Sequence, residues 1–404
     1  MPVSAYIKNA LGSASMIRKM FEEGNQLKKL HGIDKVFDFS LGNPDVDPPP
    51  AFRLVLSKLA QDTTKGMHGY MPNAGFPHVR EVLAKKASQE HQVQIDGSHI
   101  VMAVGAAGGL NSVFKTICNS GDEIVVSRPY FMEYRFYAAN HEARLVEVNT
   151  LPDFNLDIAA LRAALSPKTA AVLINSPHNP TGKIYPARTI AALADLLREH
   201  GAQTGRLPFL VADEPYREIT YNVDVPPLLC AYDETIVITS YSKSLSLSGE
   251  RIGYIAVSPT ISDKEDILGG LTFTTRTLGY VNAPAFMQRV VAELVDSRVD
   301  VAVYERRRDA FIAILDEVGI EYSMPDGAFY LFCKVPPGTK NTGNTGTDTS
   351  IDLSFVNHLK QHLILGVPGT GFGMPGWIRF AYCVDEAIIR ASAAAFKQAM
   401  QTWH

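Results

Sequence analysis

Short β-branched runs recur along this chain, each closing on a small-residue or polar cluster, and most are followed by apolar residues at helical spacing. They cover 100–104 (Ile-Val-Met-Ala-Val), 123–126 (Glu-Ile-Val-Val), 170–174 (Ala-Ala-Val-Leu-Ile), 209–212 (Phe-Leu-Val-Ala) and 235–239 (Thr-Ile-Val-Ile-Thr). Runs of this length read as buried strands, and the residues between them carry the helical period: Leu110, Val113, Phe114 and Ile117, then Ile190, Leu193, Ala194 and Leu197. Strands alternating with helices predict an α/β unit on a mostly parallel sheet with helices on both faces. Ligands of such sheets bind beyond the carboxyl ends of the strands. The polar clusters of this chain fall there, at Gly105-Ala-Ala-Gly-Gly109, Ser127-Arg-Pro-Tyr-Phe-Met-Glu-Tyr134, Asn175-Ser-Pro-His-Asn-Pro-Thr-Gly182, Asp213-Glu-Pro-Tyr216 and Ser240 to Arg251. That coincidence predicts one shared site.

The richest cluster is Ser240-Tyr-Ser-Lys-Ser-Leu-Ser-Leu-Ser-Gly-Glu-Arg251. Ser240, Ser242 and Arg251 suit a phosphate: hydroxyls donate, and a guanidinium pairs two oxygens at once. Arg251 crowds the Lys243 ammonium and favours the neutral amine, which attacks carbonyls and forms Schiff bases. A phosphate clamp beside such an amine suits pyridoxal phosphate. Taken alone, the stretch is equally consistent with a Ser-rich solvated loop. Gly105 to Gly109 reads as a small-residue turn opening a helix, whose free N–H groups suit an anion. It does not meet the Gly-x-Gly-x-x-Gly dinucleotide pattern.

Before these runs, Ser15 to Glu23 reads as a short helix stopped by Gly24, and 36–50 as a strand entering a Pro-rich turn through Gly42-Asn43-Pro44. After about residue 280 the alternation gives way to helical runs, a strand at 328–333, a low-complexity loop at 336–347 expected to be exposed, a Gly-rich turn and the strand Trp377-Ile-Arg-Phe-Ala-Tyr382. This predicts a large domain over 51–290 and a smaller α+β domain from 1–50 and 291–404.

Composition sets the partners. Net charge is −4 with 20% charged residues and no basic stripe, which argues against nucleic acid. No stretch approaches the ~20 apolar residues of a membrane span. Cys118, Cys230, Cys333 and Cys383 are far apart in apolar or mixed segments; buried free thiols and a reducing, cytoplasmic setting are expected. His358 and His362 stand at i, i+4 without a third ligand nearby, so no metal is expected.

In order along the chain, Tyr70 with Gly75 and Arg80, the 105–110 turn, Asn179-Pro-Thr-Gly182, Asp213-Glu-Pro-Tyr216, Ser240-x-Ser-Lys243 with Arg251, Gly327-Ala-Phe-Tyr330 and Arg379 resemble the class I aminotransferases. These are the pyridoxal-phosphate enzymes of the aspartate aminotransferase fold (fold type I), and the likeness runs over nearly the whole chain. It implies transamination between an L-amino acid and a 2-oxo acid by a ping-pong aldimine/ketimine mechanism, in a homodimer. Lys243 would carry the cofactor and move the Cα proton, with Asp213 against the pyridine nitrogen. Asn179 and Tyr216 would bond the phenolic oxygen, and Phe131 would lie on the ring. Ser240, Ser242, Arg251 and the backbone at Ala106 and Ala107 would bind phosphate, with Tyr70 reaching over from the partner subunit. Arg379 would take the substrate carboxylate, with the Gly42 backbone on the same side.

The same scaffold hosts β-lyases and β-decarboxylases, and aminotransferase-like ligand sensors of transcriptional regulators. A sensor needs a DNA-binding domain in front, and only about 50 residues precede the large domain. For the donor, aspartate needs a second cation, for which Arg276 is a candidate, while Tyr130, Phe131, Tyr134 and Phe136 are equally placed to line a pocket for aromatic substrates.

Overall fold

The computed structural model describes residues 3–12, 16–338 and 351–403. Among them the strands in chain order are β1 (Phe37–Asp38), β2 (Ile100–Ala103), β3 (Glu123–Arg128), β4 (Arg144–Asn149), β5 (Thr169–Asn175), β6 (Phe209–Asp213), β7 (Thr235–Ser240), β8 (Gly253–Val257), β9 (Tyr322–Ser323), β10 (Tyr330–Lys334), β11 (Ile364–Leu365), β12 (Val367–Pro368) and β13 (Trp377–Ala381). Seven form the central sheet, in the order β2-β8-β7-β6-β5-β3-β4. Its β3–β5, β5–β6 and β6–β7 pairs are parallel, as the alternation predicts, and so is β3–β4. Successive residues face opposite ways: Val125, Val172, Leu210 and Val237 join one apolar core, and Ile124, Leu173, Val211 and Ile236 the other. With both faces covered, the strands need no polar alternation, which is why they read as continuous apolar runs.

Sequence reading missed two strands of this sheet, the edge strand β4 and β8, the latter pairing antiparallel with both β7 and β2. The reversal follows the one-turn helix Ser248–Glu250 and Arg251 at φ +51°. Gly253 makes the return possible, since a Cβ there would sit 2.3 Å from the Thr239 carbonyl oxygen. Helix Met16–His31 also runs past Gly24, the expected stop. A Cβ at 24 would meet the Asp38 carboxylate at 2.8 Å, so this glycine serves close approach to β1 and does not end the helix. Ser15, the expected helix start, lies outside the described residues.

A second sheet, β12-β13-β10-β9, is antiparallel, and β1 pairs with β11 in parallel. Their apolar cluster joins the two ends of the chain, with Phe39 packed on Phe311 and Phe396. Of the low-complexity loop, 339–347 lie outside the described residues. All cysteines are free, but Cys230 is exposed and Cys118 half-buried, against the expectation of uniform burial. His358 Nε2 lies 2.8 Å from the Ala399 carbonyl oxygen, and His362 Nε2 3.2 Å from the Thr402 hydroxyl. No helix of the described residues is long and apolar enough to cross a membrane.

Candidate active site

Beyond the carboxyl ends of β5, β6 and β7 lies a cavity of about 470 Å³. β5 and β6 end level, because Asn175 and Asp213 pair in register and Asn175 Nδ2 donates to the Asp213 carbonyl at 2.7 Å. β7 ends at Ser240, whose hydroxyl accepts from the Ser242 N–H at 3.2 Å and caps the one-turn helix Tyr241–Ser244. That helix begins where the strand stops, and Lys243 lines the cavity from it.

Lys243 Nζ donates to the Gly42 carbonyl at 2.6 Å. Loss of hydration holds its pKa down to about 8, with smaller repulsion from Arg379 and Arg251. Burial, more than the Arg251 charge expected from the sequence, is the cause. Gly42 is a site of close approach, since a Cβ there would stand 2.1 Å from the Tyr330 hydroxyl. Asp213 is buried, accepts from the Tyr134 hydroxyl at 2.5 Å through Oδ2, and leaves Oδ1 without a hydrogen-bond partner. Burial pushes its pKa up to about 7, with the Tyr134 bond acting the other way. The hydroxyls of Tyr216 and Tyr330 lie 2.7 Å apart.

Arg379 is 1% exposed yet pairs with no carboxylate among the described residues. Its guanidinium lies 4.5 Å from the Tyr330 ring centroid and 4.8 Å from that of Phe372. Nη1 donates to Asn179 Oδ1 at 3.0 Å and Nη2 to the Ser40 carbonyl at 2.6 Å, while Nε has no partner. At the opposite end, helix Gly105–Ile117 starts at Gly105 itself, so the small residues form its first turn instead of a loop before it. Gly105 has φ +67°, and a Cβ there would meet Arg251 Nη2 at 2.6 Å. Arg251 and the helix N-terminus therefore close on the same space.

Of the residues singled out in the sequence, Gly42, Ala106, Ala107, Phe131, Asn179, Asp213, Tyr216, Ser240, Ser242, Lys243 and Arg251 line the cavity, and Arg379 lies directly behind Asn179 and Tyr330. Tyr70, at 94% exposed, is not brought to its own chain's cavity. Arg276 is exposed at the end of helix Lys264–Thr277, 5.4 Å from the Phe273 ring. Of the proposed aromatic wall, Phe131 and Tyr134 line the cavity but Tyr130 and Phe136 do not; the Tyr130 hydroxyl is spent on Glu147 at 2.8 Å. Sequence reasoning assigned no role to Asn175, Tyr330 or Glu133. All three stand inside quoted motifs, so position was the available signal, but the partners of Asn175 and Tyr330 are distant in sequence.

A family model for aminotransferase class I and II matches residues 34–396. The chain is 30% identical to a probable aspartate/prephenate aminotransferase of Thermus aquaticus, over 92% of each chain. It is 27% identical to an aromatic-amino-acid aminotransferase of Thermococcus litoralis, over 93% of this chain and 94% of that one. Among solved structures, an aminotransferase from Eubacterium rectale superposes over the full length of both chains with a TM-score of 0.93 at 35% identity. Aspartate aminotransferase from Thermus thermophilus with maleate follows at 0.83 and 27%, covering 96% of this chain and 97% of that one. The chain belongs to the class I and II aminotransferases. It is a pyridoxal-phosphate-dependent transaminase with the aspartate aminotransferase fold, and the lyase and sensor readings are not favoured. As in other aminotransferases, a cofactor has to fit, and the residues present suit one: a buried carboxylate oxygen without a partner, an amine of lowered pKa, and an arginine facing a helix N-terminus across a glycine.

Proposed function

We propose that this aminotransferase moves the amino group of an aromatic L-amino acid onto a 2-oxo acid in two half-reactions. The observation that carries the reading is the meeting, on one cavity, of the Lys243 amine and the unpartnered Asp213 Oδ1, with the buried Arg379 guanidinium directly behind Asn179 and Tyr330. Bound pyridoxal phosphate supplies a carbonyl that takes up the amino group and a ring that accepts the electron pair left at the substrate Cα. Lys243 Nζ would hold the cofactor, and its neutral amine would take up and return the substrate's Cα proton. Asp213 Oδ1 holds the proton on the ring nitrogen, Asn179 and Tyr216 bond the phenolic oxygen, and Phe131 flanks the ring. Ser240, Ser242, Arg251 and the N–H groups of Ala106 and Ala107 hold the phosphate. Arg379 grips the substrate carboxylate beside Gly42. The aromatic donor is supported by Phe21 and Tyr137 on the cavity wall.

A single-turnover screen of each L-amino acid with the holoenzyme, reading release of the matching 2-oxo acid, tests this. Phenylalanine and tyrosine are expected to lead. A screen led by aspartate would favour the second reading, which the names of several relatives support. That reading needs a cation for the distal carboxylate, and the exposed Arg276 would have to supply it to a partner's site.

Arg379→Lys keeps the charge but loses the fork, the two-ring stack and the Asn179 bond. KM for every amino acid is expected to rise at least tenfold while cofactor affinity holds. Loss of stability and cofactor together, with per-site kinetics preserved, would make Arg379 structural instead.

The working unit of this reading is a homodimer in which Tyr70 crosses to the partner's phosphate site; its near-complete exposure supports this, and two-fold dimers are the commonest oligomers. Sedimentation at assay concentration should give a dimer, and an active monomer would reject it. The free cysteines fit a reducing compartment, and we place the enzyme in the cytoplasm.

A further inference from the structure

We propose that Glu133 sets side-chain specificity by repelling donors with a distal carboxylate, so that uncharged or cationic side chains are the accepted class. The inference rests on the aminotransferase reading above and deepens it. Glu133 begins helix Glu133–Ala139 and lines the cavity beside Phe131. Its charge acts on the phenol of Tyr137, one turn further along and also on the cavity wall. Among the described residues no arginine, lysine or histidine forms an ion pair with it, although Arg135 two residues on pairs with Glu147 at 2.7 Å.

The cations at the cavity are already committed. Arg251 faces the helix N-terminus at Gly105, Lys243 is the amine, and Arg379 is fixed by Asn179 and Ser40 with its open Nε left for the α-carboxylate. A distal carboxylate entering this space would therefore find no free cation of this chain, and would face a second negative charge inside walls of Phe21, Phe131 and Tyr137. In such partly desolvated surroundings like charges repel more strongly than in bulk water. An aromatic ring meets no such penalty, and an ammonium would be drawn to the carboxylate. The competing role for Glu133 is local: an acidic residue in the first turn of a helix favours the helix dipole.

The test compares wild-type holoenzyme with Glu133→Gln and Glu133→Ala in two readouts. One is the ratio of aspartate to phenylalanine rates in the single-turnover assay. The other is the binding ratio of succinate to 3-phenylpropanoate by titration calorimetry. Removing one like charge is expected to raise both ratios on the order of tenfold in each variant. Ratios that stay within about twofold of wild type overturn the proposal, and a lowered thermal midpoint alongside them would leave Glu133 as a helix-end charge only. The calorimetric arm reads Glu133 even if no donor turns over, whereas silence from every amino acid in the kinetic arm strikes the aminotransferase reading.

Discussion

Lys243→Ala is expected to fold, bind pyridoxal phosphate only noncovalently, and lose measurable transamination. Lys243 is the amine that lines the cavity, and its neighbours there supply no substitute: Arg251 is a guanidinium, and the tyrosines are held protonated by burial. Borohydride reduction and peptide mapping should find the cofactor on the Lys243 peptide of wild type and on no peptide of the variant. A label retained in the variant would put the attachment on another lysine. The lowered pKa adds a pH dependence. Only the neutral amine attacks a carbonyl, so the rate at which cofactor-free enzyme takes up pyridoxal phosphate covalently should climb as pH rises toward about 8 and level above it. An unburied lysine would still be climbing near 10.

Asp213→Ala is expected to retain cofactor but lose about 10²–10³ in the rate of the amino-acid half-reaction, the usual cost of removing a preorganised electrostatic partner. Asp213 is held from two sides, by the Tyr134 hydroxyl on Oδ2 and by the strand register that puts Asn175 on its carbonyl. The Tyr134 bond thereby orients its free oxygen. Buried alone, the carboxyl tends toward neutrality, with its pKa pushed up to about 7; a protonated ring nitrogen on Oδ1 would favour the ionised form again. The proposed phosphate clamp does not include Asp213, which is why binding should survive. Stopped-flow measurement of 2-oxo acid formation checks the rate, and wild-type turnover in the variant would show that Asp213 does not serve the ring nitrogen.

Much of the site was legible because its residues sit at fixed offsets from strand ends. Asp213 closes β6, Ser240 closes β7 and Lys243 follows within one capped turn, all local features of backbone and side chain. Arg379 was legible for a different reason: a guanidinium in an apolar strand needs a partner, and alternation set it apart from Ile378 and Phe380. What the periodicity could not supply was the partner itself. An internal salt bridge was open on sequence grounds, and the structure instead gives two aromatic faces, an amide and a backbone carbonyl.

Local order thus determined the strands, their shared burial on both faces and the polar clusters at their carboxyl ends, because strand and helix periods are set by backbone geometry over a few residues. Tertiary structure alone decided the rest. The return of β8 depends on a left-handed Arg251 and on the space Gly253 leaves against Thr239. Glycines read as helix stops or turn residues proved to be points where Asp38, Tyr330 and Arg251 approach. Tyr134 on Asp213, Tyr330 on Tyr216 and Arg379 on Asn179 join residues 79, 114 and 200 positions apart. Nothing local encodes such pairs; they form because the central strands end together and β10 and β13 of the second sheet are brought against those ends.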